Sequence, residues 1–364
     1  MNEKEKYILH LISKNPYISQ NELAETMKLS RSAIAGYISS LTKQGKILGR
    51  AYVLPEASRI TCIGGANVDR KAQSQESIQY GSSNPVSVTQ SSGGVARNIA
   101  ENIGRIGSAV SLVSVVGDDQ EGEWLIGSTN LYVDTSQVMK LPKMNTGTYT
   151  AVLDQEGEMV IALADMAIYD SINDSFIEKR WSHITSSSIV LLDTNLPSHL
   201  IRKIIERCRQ DNIKLCVAPV SAPKMKKLPN VLGGVTWLIC NQQEAMTLVG
   251  ECRNDRVLCE KIQQLGVENV IITRGERGII YQTNDSAYGE ITAPTIDAID
   301  VTGAGDAFVA GFLYAMNKGE NFRKSCKYGM TCSMLTLQTQ ETVNNQLHEQ
   351  LLVKTYQQYF EEDK

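Results

Sequence analysis

Histidine is scarce: there are four in 364 residues, none spaced like a metal-ligand set. Neither a histidine-based triad nor a transition-metal centre is therefore expected. The eight cysteines, at 62, 208, 216, 240, 252, 259, 326 and 332, form no C-x-x-C pair and lie mostly in apolar stretches. That excludes a zinc site and a disulfide framework and leaves reduced core residues. No apolar run nears the ~20 residues that cross a bilayer, and the N-terminus MNEKEKYILH is charged within its first turn, so a soluble cytoplasmic protein without a membrane partner is expected. A G-x-x-x-x-G-K-[ST] motif is also missing, which excludes a P-loop. What is present is a 42% apolar chain, long enough for one domain of ordinary size plus a small addition.

Charge divides the chain. Residues 1 to 54 hold eight basic side chains against four acidic ones, a net +4 within a chain of net −4, so the remainder carries −8. A basic head on an acidic body points to an anionic partner for the head. Its periodicity predicts three helices. The first carries Ile8, Leu11 and Ile12 on one face and ends at Asn15-Pro16. The second opens on the capping box Ser19 to Glu22, with Leu23, Ala24 and Met27 inward. The third is capped by Ser30, buries Ile34, Tyr37, Ile38 and Leu41, and ends at Gly45. KILGRAYVL then offers two short strands about Gly49. Three helices and a hairpin resemble a winged helix-turn-helix. In that arrangement Arg31, Ser32 and Ala35, at the start of the third helix, meet base edges of DNA, while Lys43, Lys46 and Arg50 neutralise phosphates. The competing reading is a module that only packs on the body or mediates oligomerisation.

Past a short polar linker after Pro55 the pattern changes. RITCIGGANV, SAVSLVSVVG, SSIVLLDTN, IKLCVAPV, TWLICN and NVIITRG read as buried strands, separated by helical stretches such as VARNIAENIGRIG and SHLIRKIIERCRQ. The order predicts an α/β fold: a mostly parallel sheet with helices on both faces, in a domain over 55–364 behind a head over 1–54. Segments about 70–92 and 140–165 alternate polar and apolar residues between turns, and are expected to form a small β lid. In such sheets ligands sit beyond the carboxyl ends of the strands, so the residues there carry the chemistry.

Those residues are, in order, Gly64-Gly65-Ala66-Asn67-Val68-Asp69, Gly93-Gly94-Val95-Ala96-Arg97-Asn98, Asn241-Gln242-Gln243-Glu244, Thr273-Arg274-Gly275-Glu276-Arg277-Gly278 and Asp300-Val301-Thr302-Gly303-Ala304-Gly305-Asp306. Over roughly residues 59 to 345 this series resembles the ribokinase, or PfkB, family of carbohydrate and nucleoside kinases, and DVTGAGDAF is its most specific element. The chemistry fits. Glycines ahead of a helix start present backbone N–H groups to an anion, so Gly303, Ala304 and Gly305 are placed to hold a transferring phosphoryl group. A carboxylate beside that site has a use if it takes the proton of the acceptor alcohol, which nominates Asp306 as general base; otherwise it merely meets the helix dipole.

The resemblance implies the rest. Asn241 and Glu244 face the phosphates of ATP, Glu244 holding Mg²⁺ through water, unless the pair simply caps a helix. Thr273 and Gly275 line the triphosphate loop, and Gly278 either admits the nucleotide or serves a hairpin turn. Asp300 and Thr302 match positions that bind a monovalent cation such as K⁺ in many relatives, although the later cation segment departs from the family pattern at LTLQTQETV. Asn67, Asp69, Gly93, Gly94 and Asn98 match sugar-contacting positions. Arg97 makes GGVARN more like pseudouridine and nucleoside kinases, or else pairs with Glu101 at the surface. Thr148 and Tyr149 of the lid cover base or sugar, unless Tyr149 is only strand core. The expected activity is ATP-dependent phosphorylation of the 5′-hydroxyl of a ribonucleoside, pseudouridine first. The alternatives are another nucleoside or free sugar, or a ligand-sensing regulator. A homodimer is expected.

Overall fold

The computed structural model describes residues 2–49 and 58–361, in two compact units: Met1–Arg59 with Asn173–Ser188, and Ile60–Ile172 with Ile189–Lys364. In the first, α1 (Glu3–Lys14) begins where Asn2 and Glu5 cap each other through reciprocal 2.8 Å hydrogen bonds. Ser19 and Glu22 repeat that box at α2 (Gln20–Met27), Lys28 turns the chain at φ +53°, and Ser30 caps α3 (Arg31–Lys43). Ile8, Ile12, Leu23, Ile34, Ile38, Leu41 and Ile47 close a core of their own. The hairpin expected over 46–54 has no strand in residues 46–49; the rest of it, Arg50 included, lies outside the described residues.

The second unit is built on β1 (Ile60–Ile63), β2 (Asn67–Ser74), β3 (Val86–Gly93), α4 (Val95–Arg105), β4 (Val110–Val113), β5 (Val115–Gly117), α5 (Gln120–Thr129), β6 (Met139–Leu141), β7 (Thr148–Leu153) and β8 (Met159–Asp165). The next helix, α6 (Asp174–Ile184), belongs by its packing to the first unit, where Gly45, at φ +67°, lies so close to Thr185 and Ser186 that a Cβ would collide with them. The fold resumes with β9 (Ile189–Asp193), α7 (Ser198–Gln210), β10 (Lys214–Ala218), β11 (Trp237–Asn241), α8 (Gln242–Val249), α9 (Asp255–Gln264) and β12 (Asn269–Thr273). It closes with β13 (Ile279–Gln282), β14 (Tyr288–Ile291), α10 (Ala304–Asn317), α11 (Phe322–Leu337) and α12 (Glu349–Phe360).

Eight strands form the main sheet in the order β14-β13-β12-β11-β10-β9-β1-β4. The run from β12 to β4 is parallel throughout, with β13 and β14 added antiparallel. Strands covered on both faces are mostly apolar along their length, as in ITCI, VSLV and IVLLD; Thr61 and Ser111, the hydroxyls of the first two, bond each other at 2.8 Å, and Asp193 ends the third. From β1 the chain steps one way to β4, and β9 then takes the other side of β1. The strand order thus reverses between β1 and β9, the place where open α/β sheets bind ligands. The lid is a separate sheet, β3-β2-β7-β8, entered directly from the end of β1.

Candidate active site

At the β1/β9 reversal the backbone is tight and a buried carboxylate holds it. Asp193, the last residue of β9, is fully buried and accepts N–H bonds from Gly65 (2.8 Å), Ala96 (3.0 Å) and Asn195 (2.7 Å), with a fourth from the Asn195 amide at 3.0 Å. Burial raises its proton affinity and those four donors oppose the rise. A Cβ at Gly64 would strike the Asp193 carboxylate, and one at Gly65 the Asn195 amide. Lys224 and Lys227, in the 3-10 turn Ala222–Lys227 after β10, reach Asn195 by its side chain and its carbonyl. Tyr169 donates to the Ala66 carbonyl and accepts its N–H, at 2.7 and 2.8 Å. The motif pattern nominates none of Tyr169, Asp193, Asn195 and Lys224. The available signal was positional: Asp193 and Asn195 stand at the carboxyl end of a strand that pairs with β1.

Around that turn the structure gathers most of the residues expected on the acceptor side. Asn67, buried, donates to Asp69 at 2.5 Å. Asp69 lies so close over Gly93 that no side chain fits there, and Gly94, at φ +99°, packs on the Gly65 carbonyl. Burial pushes the Asp69 carboxyl up to about 6 against the pull of Asn67, Arg97 and Lys71. Asn98 donates from Nδ2 to Asp306 Oδ2 at 2.8 Å, joining α4 to the start of α10. Tyr149 pairs with Asp69 across the lid and shares its face. Thr148 pairs instead with the buried Val68, so successive-residue alternation puts it on the opposite face from Asp69.

Arg97 is neither a surface residue nor open to a ligand. It is 2% exposed; its Nη1 meets Glu101 at 2.5 Å, and its Nε and Nη2 both donate to Asn98 Oδ1. The i+4 pair with Glu101 exists, but it is buried where a surface pair was the alternative, because α10 packs over this side of α4.

The loop Asp300–Gly303 leads into α10. Gly303 turns at φ +79° against the Thr342 carbonyl, where a Cβ would collide, and no side chain caps the helix. The Ala304 N–H reaches the Val301 carbonyl at 3.4 Å, and a Cβ on Gly305 would meet nothing within 4 Å, so open space stands over this first turn. Asp306 keeps part of its surface open among these groups. Burial pushes its carboxyl up to about 7; the Asn98 bond and Arg97 pull down, Asp193 and Asp69 push up. Asp300 is engaged by Lys71 at 2.9 Å on one oxygen and by Thr302 N–H and Oγ on the other, so both candidate cation residues already have partners.

Two strands along the same rim lie the residues expected on the nucleotide side. Asn241 and Thr273 are partners at the ends of β11 and β12. Asn241 and Glu244 form a reciprocal capping box, 2.8 and 2.9 Å, so the cap reading holds in this structure. Only one Glu244 oxygen is used by that box, and burial raises its proton affinity. Gly275 (φ +58°) has open space around it, whereas Gly278 (φ +81°) closes the turn from β12 to β13, its carbonyl accepting from Arg274 N–H at 2.8 Å, and abuts the Ile291 carbonyl of β14. Among the described residues no three His, Cys, Asp or Glu side chains form a metal cluster. Mg²⁺ fits such a site only as an ion carried by phosphates and water, with one carboxylate behind them. In the head, Arg31, Ser32, Lys43 and Lys46 are exposed along α3 and just past it, and Ala35 is half-buried.

The comparisons agree with this geometry. Residues 57–349 match the model of the pfkB family carbohydrate kinases, and residues 1–47 that of a winged helix-turn-helix DNA-binding domain. A sugar kinase of Escherichia coli, YeiI, is 29% identical over 92% of this chain and 94% of its own. The pseudouridine kinase of the same organism is 32% identical over 80% of this chain and 94% of its own. Among solved structures, a carbohydrate kinase from Agrobacterium tumefaciens superposes with a TM-score of 0.72 at 27% identity, covering 82% of this chain and 97% of that one. Arabidopsis thaliana ribokinase, solved with ribose and ATP, gives 0.72 at 17% identity over 83% and 99%, a likeness of fold.

Proposed function

The chain belongs to the pfkB family of carbohydrate kinases and carries an N-terminal winged helix-turn-helix, and on that premise we propose that it transfers the γ-phosphoryl group of ATP to the 5′-hydroxyl of a ribonucleoside, pseudouridine before others. The observation that carries the reading is the 2.8 Å bond between Asn98, of the sugar-side glycine motif, and Asp306, at the uncapped start of α10. It puts a carboxylate beside both the sugar-side glycine motif and the N–H groups of the helix start. The acceptor hydroxyl gives its proton to Asp306 as its oxygen bonds to phosphorus, and the bond to the ADP oxygen breaks with the pair leaving on ADP. Backbone N–H groups of Gly303, Ala304 and Gly305 hold the charge that develops on the transferred group. Glu244 would hold a magnesium ion through water, and the ion would supply neutralisation of the phosphate charge. Asn67 and Asp69 bind the sugar hydroxyls, and Asn241, Thr273 and Gly275 the triphosphate.

Pseudouridine is preferred because its kinase from Escherichia coli is 32% identical over most of the chain, and because GGVARN places a buried arginine where a small residue is the ribokinase form. Asp306→Asn keeps the volume and the hydrogen bond but removes the base, so turnover should fall by ~10²–10⁴ while ATP and nucleoside still bind. Isothermal titration beside a kinase assay with pseudouridine, uridine and ribose tests both parts. Activity above about a tenth of the parent's would sink the base assignment, since base loss costs ~10² or more; a better rate with ribose would sink the nucleoside assignment alone. The head favours a second reading, a regulator that uses the kinase fold to sense its ligand, and turnover in the same assay excludes a purely sensing role.

A further inference from the structure

Arg97 cannot reach a ligand, yet it is the largest fully buried side chain in the molecule's described residues and stands one residue from the asparagine that holds Asp306. Its partners divide cleanly. One nitrogen meets Glu101, which Arg105 also grips at 2.8 Å, and the other two converge on a single atom, Asn98 Oδ1, at 3.2 and 2.7 Å. A guanidinium has donors only, so the Asn98 amide must turn its oxygen to Arg97 and its NH₂ away. On that far side lies Asp306 Oδ2. Resting on the reading of Asp306 as base, we propose that Arg97 is a positioning residue for phosphoryl transfer: it locks the Asn98 amide as a donor to Asp306 Oδ2 and so reserves Oδ1 for the acceptor's proton.

The charge of Arg97 acts in the same direction. Facing Asp306 are Asp193 from β9 and Asp69 from β2, both of which oppose its ionisation; Lys71, next along β2 on the same face, faces Asp69, and Arg97 from α4 favours the ionised form. Burial lowers the proton affinity of Arg97 itself, while Glu101, Asp69 and Asp306 raise it, and a guanidinium stays charged under such opposing pulls. Removing the arginine leaves Asp306 with two carboxylate neighbours and an unpinned amide.

The test uses the full-length chain. Arg97→Met removes fork and charge, with Glu101 still held by Arg105; Arg97→Lys keeps the charge but cannot grip one oxygen twice. With ¹³C-labelled aspartate, the Asp306 carboxyl resonance, assigned by its loss in Asp306→Asn, is followed against pH without any ligand. Its midpoint should move up by about 1 unit or more in Arg97→Met and stay near the parent's in Arg97→Lys. With the best acceptor of a nucleoside and sugar panel, the acid limb of kcat/KM should follow the same shift in Arg97→Met. Arg97→Lys should lose ~10-fold or more in kcat at unchanged KM for ATP, the cost of a misdirected base. A folded Arg97→Met with an unmoved midpoint, or a loss equal at every pH, overturns the proposal. If Arg97→Met does not fold, Arg97→Lys with kcat within about twofold of the parent's overturns it, because a misplaced group costs far more. An active Asp306→Asn beside a shifted midpoint would retire the base assignment and leave the Arg97–Asn98–Asp306 relay standing.

Discussion

At Asp306 the charge that the chemistry needs is one the fold resists. Three carboxylates, Asp69, Asp193 and Asp306, lie within each other's fields, and burial holds Asp306 near 7 where an aspartate ordinarily titrates at 3.8. A base poised near neutrality is efficient, because it is ionised at working pH and still basic enough to take a proton. The cost appears as stability. A folded-state value above the unfolded one means the folded protein binds the proton more tightly, so stability is fullest below about 4 and is lost as pH rises through about 7. Asp306→Asn removes that loss. Measured by calorimetry, the variant's Tm should exceed the parent's at pH 8, and by much less near pH 4.5. A gain equal at both values would mean the ionised carboxylate is not destabilising, and that solvent reaches it more freely than its surroundings suggest.

Elements set what each glycine is for. In the 303–305 turn two glycines stand two residues apart with opposite needs. Gly303 bends at φ +79° against the Thr342 carbonyl, so Gly303→Ala must push the loop off the segment after α11. Gly305 sits inside the first turn of α10 with open space above it, so Gly305→Ala should leave Tm unchanged or raise it slightly, since alanine is ~0.5–1 kcal/mol better than glycine in a helix. Its methyl would nevertheless stand where we propose that the phosphoryl group is held, and kcat should fall by ~10-fold or more. A Gly305→Ala enzyme of normal turnover would place the phosphate elsewhere. Such local features were legible in the sequence because each follows from neighbours along the chain: the helix caps at Ser19, Ser30 and Asn241, the apolar strands of a sheet covered on both faces, the uncapped helix after DVTGAG. Asp193 was not legible, since a carboxylate ending VLLD acquires meaning only when β9 is laid beside β1. The sequence leaves Arg97 as a substrate-side motif residue or a surface partner of Glu101, and the structure makes the pair a buried one. Thr148 and Tyr149 could be placed together in the lid, but only the register with Val68 and Asp69 separates their faces.

At the scale of the molecule, every residue assigned to phosphoryl transfer lies between Asn67 and Asp306, in the second unit, while the basic residues of α3 lie in the first. That first unit is not only the N-terminal segment, because α6 packs within it, with Gly45 set tightly against Thr185 and Ser186. The helix is joined at one end to the segment that carries Tyr169 and at the other to β9, which ends in Asp193. Truncation at residue 54 therefore removes the helices with which α6 shares a unit, and Tm should fall even though the nominated kinase residues remain. Turnover should persist. DNA binding makes an independent demand on the intact chain: if Lys43 and Lys46 neutralise a phosphate each, log K should fall with log salt at a slope of about −2. Arg31→Ala should weaken binding to a selected sequence more than to random duplex, because its place at the start of α3 is where base edges are met, whereas Lys46→Ala should weaken both alike and flatten the slope by about 1. An intact protein that binds no duplex at low salt, together with a truncated one that loses turnover, would make the head a packing module, with α6 as its attachment to the kinase fold.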